Sequence, residues 1–226
     1  MLNIVKAHYI LNMKILLKEK LPLLWSTALP VIFLFINGQY VQDTMFLNFF
    51  WAIIIFACYI FGVGLQAVRL REAGLLKTYF SINHSRMLFF ISLVLTQMTS
   101  AFISMLILNS IAALFFPVNF LEAMMYSTVL IVLTLPVAFL SANLTMLHKS
   151  SYQTLSTVIA VIFFVSLFTL TMDNVINYVN PLVYLSQLLF LQGVYDYLVY
   201  VIISAICMVT GIYSLRNYQV NSVMRR

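Results

Sequence analysis

Residues 46–68 have the sequence FLNFFWAIIIFACYIFGVGLQAV, and the charged residues Arg69, Arg71 and Glu72 follow within the next four positions. About 20 consecutive apolar residues are enough for a helix to cross the hydrocarbon core of a bilayer. A run of this length without Asp, Glu, Lys or Arg therefore predicts a transmembrane helix that ends at a polar surface.

The composition of the whole chain points the same way. Of the 226 residues, 63% are apolar and only 8% are charged, and the mean hydropathy is +1.03. A soluble domain has about 25% charged residues. The chain is therefore predicted to be an all-α integral membrane protein, a single transmembrane domain over residues 1–226, with no room for a separate soluble catalytic domain.

Six charge-free apolar runs predict six transmembrane helices. They cover residues 21–37, 46–68, 87–116, 123–147, 153–172 and 197–215. Between the last two runs, residues 173–196 contain an apolar stretch that is too short to cross a bilayer. We expect this segment to form a re-entrant or outer-surface hairpin before the last span.

The basic residues fix the predicted topology. All 12 Lys and Arg lie before the first run, between the second and third, between the fourth and fifth, or after the sixth. The alternate segments contain Asp43, Glu122, Asp173 and Asp196 and no basic residue. Because cytoplasmic loops are the ones enriched in Lys and Arg, both termini are predicted to be cytoplasmic, with an even number of spans.

Two segments are predicted to lie on the cytoplasmic surface. Residues 1–20 carry four lysines among apolar residues and predict an interfacial helix, which we expect to be retained because no small-residue cleavage site follows it. Residues 69–86 form the longest predicted cytoplasmic connection, and we expect a short helix that lies against the membrane face.

Several function classes are excluded by what the sequence lacks. It has no phosphate-binding G-x-x-x-x-G-K-[ST] motif and no G-x-S-x-G or H-E-x-x-H motif, so no enzymatic activity is expected. The three histidines, His8, His84 and His148, are not at metal-ligand spacing, and Cys58 and Cys207 lie within apolar runs. No metal and no cofactor is predicted, and the charge distribution fits a membrane surface better than nucleic acid.

Energy for transport is expected to come from another polypeptide. Proton relays through a membrane need buried Asp, Glu or His, and the predicted spans contain none. The neutral polar residues of the spans either bond helices together or line a substrate path, and the sequence leaves both interpretations open. These residues are Gln66, Gln97, Thr99, Ser100, Asn109, Ser141, Asn143 and Thr145.

Two short segments resemble a known family. Residues 69–87, RLREAGLLKTYFSINHSRM, resemble the cytoplasmic loop between the second and third spans of type 2 ABC-transporter permeases. In these permeases a basic and acidic pair precedes x-Gly, and a small polar residue with Arg opens the third span. The matching residues are Arg71, Glu72, Gly74, Ser85 and Arg86. Residues 180–185, NPLVYL, resemble the segment that opens the outer re-entrant hairpin, through Asn180, Pro181 and Tyr184.

The resemblance implies specific partners. In that family the inner loop forms a coupling helix that docks on a separate ATP-hydrolysing subunit, which binds ATP and Mg. Carried over, Arg71, Glu72 and Gly74 would lie in the coupling helix and Lys77 near its end. Two permeases, as a homodimer or with a related paralogue, would form the conduit in the lipid bilayer.

The sequence thus leads to a permease subunit of an ABC exporter in a bacterial cytoplasmic membrane. An acid-poor interior suits an amphipathic or hydrophobic cargo, such as a peptide toxin, an antimicrobial peptide or a drug, and the small size of the chain favours peptide export. The alternatives are an ATP-independent secondary transporter or channel, and a non-transporting immunity or scaffold protein.

Overall fold

The computed structural model describes residues 2–18, 20–82, 85–147, 150–170, 177 and 179–218, and within these ranges it contains helices and no strand. The all-α prediction is confirmed for this part of the chain. In chain order, the helices are α1 (Leu2–Lys18), α2 (Lys20–Ile36), α3 (Asn48–Phe56), α4 (Gln66–Glu72), α5 (Leu75–Ile82), α6 (Arg86–Phe115), α7 (Phe120–Leu133), α8 (Leu135–Ser141), α9 (Tyr152–Thr169), α10 (Pro181–Gln187) and α11 (Val194–Arg216).

Four of the described helices are long and apolar enough to cross a bilayer. They are Thr44–Glu72, Arg86–Phe115, Tyr152–Thr169 and Val194–Arg216, and the bent pair Phe120–Leu133 and Leu135–Met146 makes a fifth if it is counted as one span. The first predicted span, 21–37, corresponds to α2, whose apolar part Ser26–Ile36 is shorter than the others. Six spans and cytoplasmic termini therefore stay predictions.

The helix Thr44–Glu72 is the centre of the structure. Of its most apolar part, 67% is buried, against 17% for α11. It is continuous through α3, a π-helical segment Ala57–Leu65, and α4. In the π-helical segment the turns are wider, and the backbone N–H of Gln66 bonds to the carbonyl of Phe61, five residues back.

The helix ends collect at two opposite ends of the bundle. At one end, which we call the basic end (residues 67–76, 85–90, 142–147, 150–152 and 213–218), the Nη1 atom of Arg71 donates to the carbonyl of Thr145 at 2.7 Å. Arg86 donates to the carbonyl of Arg216 there as well. These bonds join segments that the charge pattern assigns to one side of the membrane.

The opposite end, which we call the acidic end (residues 37–48, 115–122 and 180–194), brings together the other set of connections. The hydroxyl of Thr44 donates to Glu122 at 3.0 Å, and the backbone N–H of Asn119 donates to the same hydroxyl at 3.3 Å. The Nδ2 atom of Asn48 donates to the carbonyl of Ser186 at 3.2 Å. The short helix α10 therefore packs on the first turn of α3 instead of running through the bundle.

The bend between α7 and α8 has a local cause. The two helices differ in direction by 40°, and Pro136 occupies the start of α8. Proline has no N–H to donate to the preceding turn, so the helix cannot continue straight. The hydroxyl of Thr134 donates to the carbonyl of Leu130 at 2.6 Å and so supplies a polar partner at the break.

A buried polar network holds three helices together. The Nε1 atom of Trp51 donates to Oδ1 of Asn109 at 2.8 Å, and the Nδ2 atom of Asn109 donates to Ser127 at 3.0 Å. Asn109 is fully buried. For this residue the structure supports the interhelical bonding role and not a place on a substrate path.

Two glycines allow helices to approach closely. A Cβ atom at Gly64 would lie 2.7 Å from the carbonyl oxygen of Ser141, and one at Gly211 would overlap the backbone carbonyl of Phe139. Small residues at such crossings are the usual way in which membrane helices pack tightly. The contact of α11 with α8 therefore depends on Gly211.

We expect Gly211→Ala to lower the free energy of unfolding by about 1–3 kcal/mol, because the added methyl meets backbone that cannot rotate away. Thermal unfolding of the purified protein in detergent measures this. The control is Ala205→Val, which adds two methyl groups at an exposed position of the same helix. An equal effect of both substitutions would contradict the assignment of Gly211 to a close helix crossing.

Candidate functional site

A partly enclosed cavity of about 590 Å³ lies in the described part of the chain. Residues from α1, α2, Thr44–Glu72, α6 and α9 form its walls. Its lining residues are Asn12, Ile15, Leu16, Ser26, Leu29, Ile53, Ala57, Cys58, Phe61, Gly62, Gln66, Arg69, Leu93, Thr96, Gln97, Ser100, Tyr152, Ala160, Phe163 and Phe164. A cavity of this size, mostly apolar with a few polar groups, is typical of small-molecule sites.

One wall of the cavity carries neutral polar groups. Gln66 follows the π-helical segment, and Gln97 and Ser100 lie on α6 facing it. The side-chain amide of Gln97 rests directly against Gly62, where any Cβ atom would overlap it. Among the described residues, the amides of Gln66 and Gln97 have no protein hydrogen-bond partner. Both are therefore able to bond a ligand in the cavity.

Other parts of the lining are aromatic. The ring of Phe163 on α9 stacks on Phe56 with centroids 5.1 Å apart and contacts the edge of Phe61 at 5.9 Å. Arg69 is the single charged residue of the lining and is exposed at the basic end. The cavity can thus hold a molecule that has both apolar and neutral polar groups.

The predicted coupling residues lie at the basic end, and two of them have partners within the chain. Arg71 is 3% exposed and bonds to Thr145. The Oε1 atom of Glu72 accepts the backbone N–H of Tyr152 at 2.6 Å, where a carboxylate is favourable at the N-terminus of α9. Both residues belong to α4, so they fasten the central helix to its neighbours.

Gly74 divides the inner loop in two. Its φ is +75°, a left-handed conformation that favours glycine, and its N–H bonds to the carbonyl of Arg71 at 3.1 Å. The predicted single short helix over residues 69–86 is therefore the end of α4, a corner at Gly74, and the separate helix α5. Lys77 lies in the first turn of α5 and not near its end, and its side chain is outside the described part of the chain.

Helix α5 is amphipathic and sits on the basic end of the bundle. Leu76, Tyr79 and Phe80 are buried in a small apolar cluster with Phe89 and Tyr218. Leu75 is 47% exposed on the other side. This helix therefore presents an outward face, while its inward face packs against α6 and against Tyr218, which follows α11.

An aromatic stack links α5 to α1. The rings of His8 and Tyr79 are stacked with centroids 5.4 Å apart, and the edge of Phe89 contacts both of them. Asn12 on α1 donates to Ser92 at 3.3 Å and accepts from the hydroxyl of Tyr79 at 3.5 Å. Helix α1 thus forms part of the surface on which α5 packs.

The three predicted hairpin residues lie at the acidic end. Asn180 is 3% exposed; its Oδ1 atom accepts the N–H of Leu182 at 2.9 Å, and its Nδ2 atom donates to the carbonyl of Ser166 at 2.9 Å. Pro181 is the first residue of α10, a position that needs no N–H donor. Tyr184 is 58% exposed. Residues 173–176 and 178 of the predicted hairpin are outside the described part.

The structure separates the polar residues that the sequence left ambiguous. Gln66, Gln97 and Ser100 line the cavity. Asn143 instead bonds to Thr210 and Ser214 on α11 at 3.2 and 2.5 Å. Two more of these residues bond to other helices, Thr99 to Tyr9 and Asn109 to Trp51 and Ser127. Ser141 and Thr145 bond to carbonyls of their own helical segments.

Sequence analysis missed the contribution of α1 and of Cys58 to the cavity. Cys58 is a buried free thiol that also lines this space. The glycine pair Gly62 and Gly64 just before Gln66 was the available signal, because glycines within a span mark close approach of another element. No group of three or more His, Cys, Asp or Glu that could hold a metal ion occurs among the described residues.

Comparisons of the chain with protein-family models, with curated proteins and with solved structures find no match. The cavity and the geometry of the inner loop are therefore the basis for assigning a function.

Acidification is expected to weaken the docking of α5. Burial lowers the pKa of His8 below its ordinary value of 6.5 and raises the pKa of Tyr79, so both stacked rings are neutral near neutral pH. When α5 is undocked, His8 regains its ordinary pKa and binds a proton more readily as the pH falls through 6.5. Proton binding thus favours the undocked state.

Hydrogen exchange of the α5 amides, corrected for intrinsic rates, measures this between about pH 7.5 and about pH 5.5. We expect protection to fall with pH in the wild-type protein and to be flat in His8→Phe, which keeps an aromatic ring without a titrating group. The same pH dependence in both proteins would show that His8 is not responsible.

Proposed function

We propose that this chain is the permease subunit of an ABC exporter, which moves an amphipathic or hydrophobic cargo with energy from a separate ATPase subunit. The observation that carries the proposal is the cavity of about 590 Å³, whose lining combines the rings of Phe61, Phe163 and Phe164 with the amides of Gln66 and Gln97, which have no hydrogen-bond partner among the described residues. Such a lining favours a cargo segment that has both apolar and neutral polar groups, as part of an amphipathic peptide has.

The second part of the proposal concerns topology. Six spans with both termini in the cytoplasm place the basic end of the bundle inside the cell, in agreement with the positive-inside rule. On this basis α2 counts as the first span and the bent pair α7–α8 as the fourth. A bacterial cytoplasmic membrane is the proposed location, and a second copy or a related subunit is the proposed partner in the membrane.

The third part concerns coupling. Helix α5 has an outward face at the basic end, and the corner at Gly74 joins it to α4, which continues directly into the π-helical segment beside the cavity. A displacement of α5 by an ATPase would therefore move α4 and, through the continuous helix Thr44–Glu72, the cavity wall. Rigid-body transmission of this kind is common in switching proteins. ATP and Mg would be bound by the ATPase subunit only.

Leu75→Asp tests the coupling surface. We expect it to weaken association with the proposed ATPase subunit by about tenfold or more, because it replaces an apolar contact with a charge. Copurification and stimulated ATP hydrolysis measure this. Leu75 is a cleaner target than Glu72, because Glu72 also caps α9.

The matched control is Leu121→Asp, the same substitution at a residue that is 72% exposed at the acidic end. Loss of ATPase stimulation in both variants would contradict a coupling role for α5. Transport by the purified chain in liposomes without any ATPase would instead favour the channel or secondary transporter.

Ala160→Phe tests the cavity. The new ring would occupy the space that Ala160 lines. We therefore expect ATP-dependent uptake of a fluorescent amphipathic peptide into inside-out vesicles to fall about tenfold. A tenfold change corresponds to the loss of about 1.4 kcal/mol of cargo-binding free energy. Binding of the ATPase subunit should be unchanged. Val161→Phe is the control, since Val161 is the next residue on α9 and is 57% exposed outside the cavity. Equal uptake by the two variants would contradict the assignment of this cavity to the cargo.

A further inference from the structure

A second space lies outside the cavity, on the surface between α1, α6 and α7. It is an open groove of about 890 Å³. From Leu88 to Phe102 on α6 it extends about 21 Å, at 1.5 Å per residue of helix. One leaflet of the hydrocarbon core is about 15 Å thick, so the groove is long enough to follow a lipid chain from the interface past the middle of the bilayer.

Apart from Lys6, the hydroxyl groups that line this groove have no proton left to donate to a ligand. The hydroxyl of Thr99 donates to the carbonyl of Leu95 at 3.0 Å, and that of Thr128 donates to the carbonyl of Met124 at 2.7 Å. Because the proton of Thr99 is already used, the hydroxyl of Tyr9 is the donor in its 3.1 Å bond to Thr99. The rest of the lining between these groups is aliphatic, aromatic or Met98.

One charge stands on the rim of the groove. Lys6 is exposed, lines the groove, and has no carboxylate partner among the described residues. His8, two positions along α1, packs against Phe89 in the first turn of α6, so this part of α1 lies beside the charged start of α6. Lys14 and Lys18 are also exposed on α1. The groove therefore combines a cationic mouth with a long apolar trough.

We propose that this groove is a binding site for an anionic phospholipid, with one acyl chain along α6 and the phosphate beside Lys6. Basic groups at the cytoplasmic mouth of a cleft between membrane helices are a recurring feature of sites for acidic lipids. The site differs from the cargo cavity, whose lining includes the amides of Gln66 and Gln97, and it does not depend on the exporter function proposed above. A bound lipid would stabilise the packing of α1 against α6, next to the surface on which α5 packs.

The test compares lipid retention by the full chain in native mass spectrometry, with dioleoyl phosphatidylglycerol and dioleoyl phosphatidylcholine as the probes. We expect the wild-type protein to hold phosphatidylglycerol about fivefold more tightly, as one lysine near the membrane surface provides. Lys6→Gln should remove this preference. Lys14→Gln, on the same helix but outside the groove, should keep it.

A second pair of variants tests the acyl chain. Val132→Trp fills the groove from α7 and should lower retention of both lipids, whereas Val129→Trp, at a residue 49% exposed outside the groove, should not. An equal loss of the preference for phosphatidylglycerol in Lys6→Gln and Lys14→Gln would indicate diffuse attraction to a basic surface, and it would overturn the proposed site. Unchanged lipid retention in Val132→Trp would show that the acyl chain does not bind in the groove. Cross-linking that finds a helix of a second protein copy in the groove would also overturn the proposal. Displacement of the lipid by inorganic phosphate would leave only an anion site and would also overturn the proposal.

Discussion

Charged side chains are excluded from the interior of an apolar bundle, because their hydration is lost there without adequate compensation. In this protein the described charges accordingly lie at the helix ends or on surface helices, and the polar groups between the ends are neutral. Helices are then joined through amides and hydroxyls, as in the network of Trp51 with Asn109, or through glycine contacts such as Gly211 with Phe139. The charged residues at the helix ends bond to neighbouring backbone, as Arg71 does to Thr145 and Glu72 to Tyr152.

The same helix that forms the core also departs most from α-helical geometry. Thr44–Glu72 is well buried along its apolar part, yet its π-helical segment Ala57–Leu65 borders the cavity. Gly62 and Gly64 in this segment contact different neighbours, Gln97 on the cavity side and Ser141 on the side of α8. A displacement of the basic end of this helix would therefore alter the cavity wall and the packing of α8 together.

The two spaces in the bundle have different chemistry although both are largely apolar. In the cavity, the amides of Gln66 and Gln97 face open space, so the lining can recognise a polar group. In the groove, the hydroxyls of Thr99 and Thr128 are satisfied by their own helix. Volume and apolar area alone would not distinguish them; the hydrogen-bond partners of a few side chains do.

The amino-acid sequence by itself determined the membrane class, the helical content and the division of connections between two ends, because these follow from apolar run length and from the cost of burying charge. It did not determine that the inner loop breaks at Gly74, or that α1 lines the cavity. Nor did it separate Gln97, which lines the cavity, from Asn109, which bonds to Trp51. Those outcomes depend on which face of α6 each residue occupies against its neighbours, and only the tertiary packing sets that orientation.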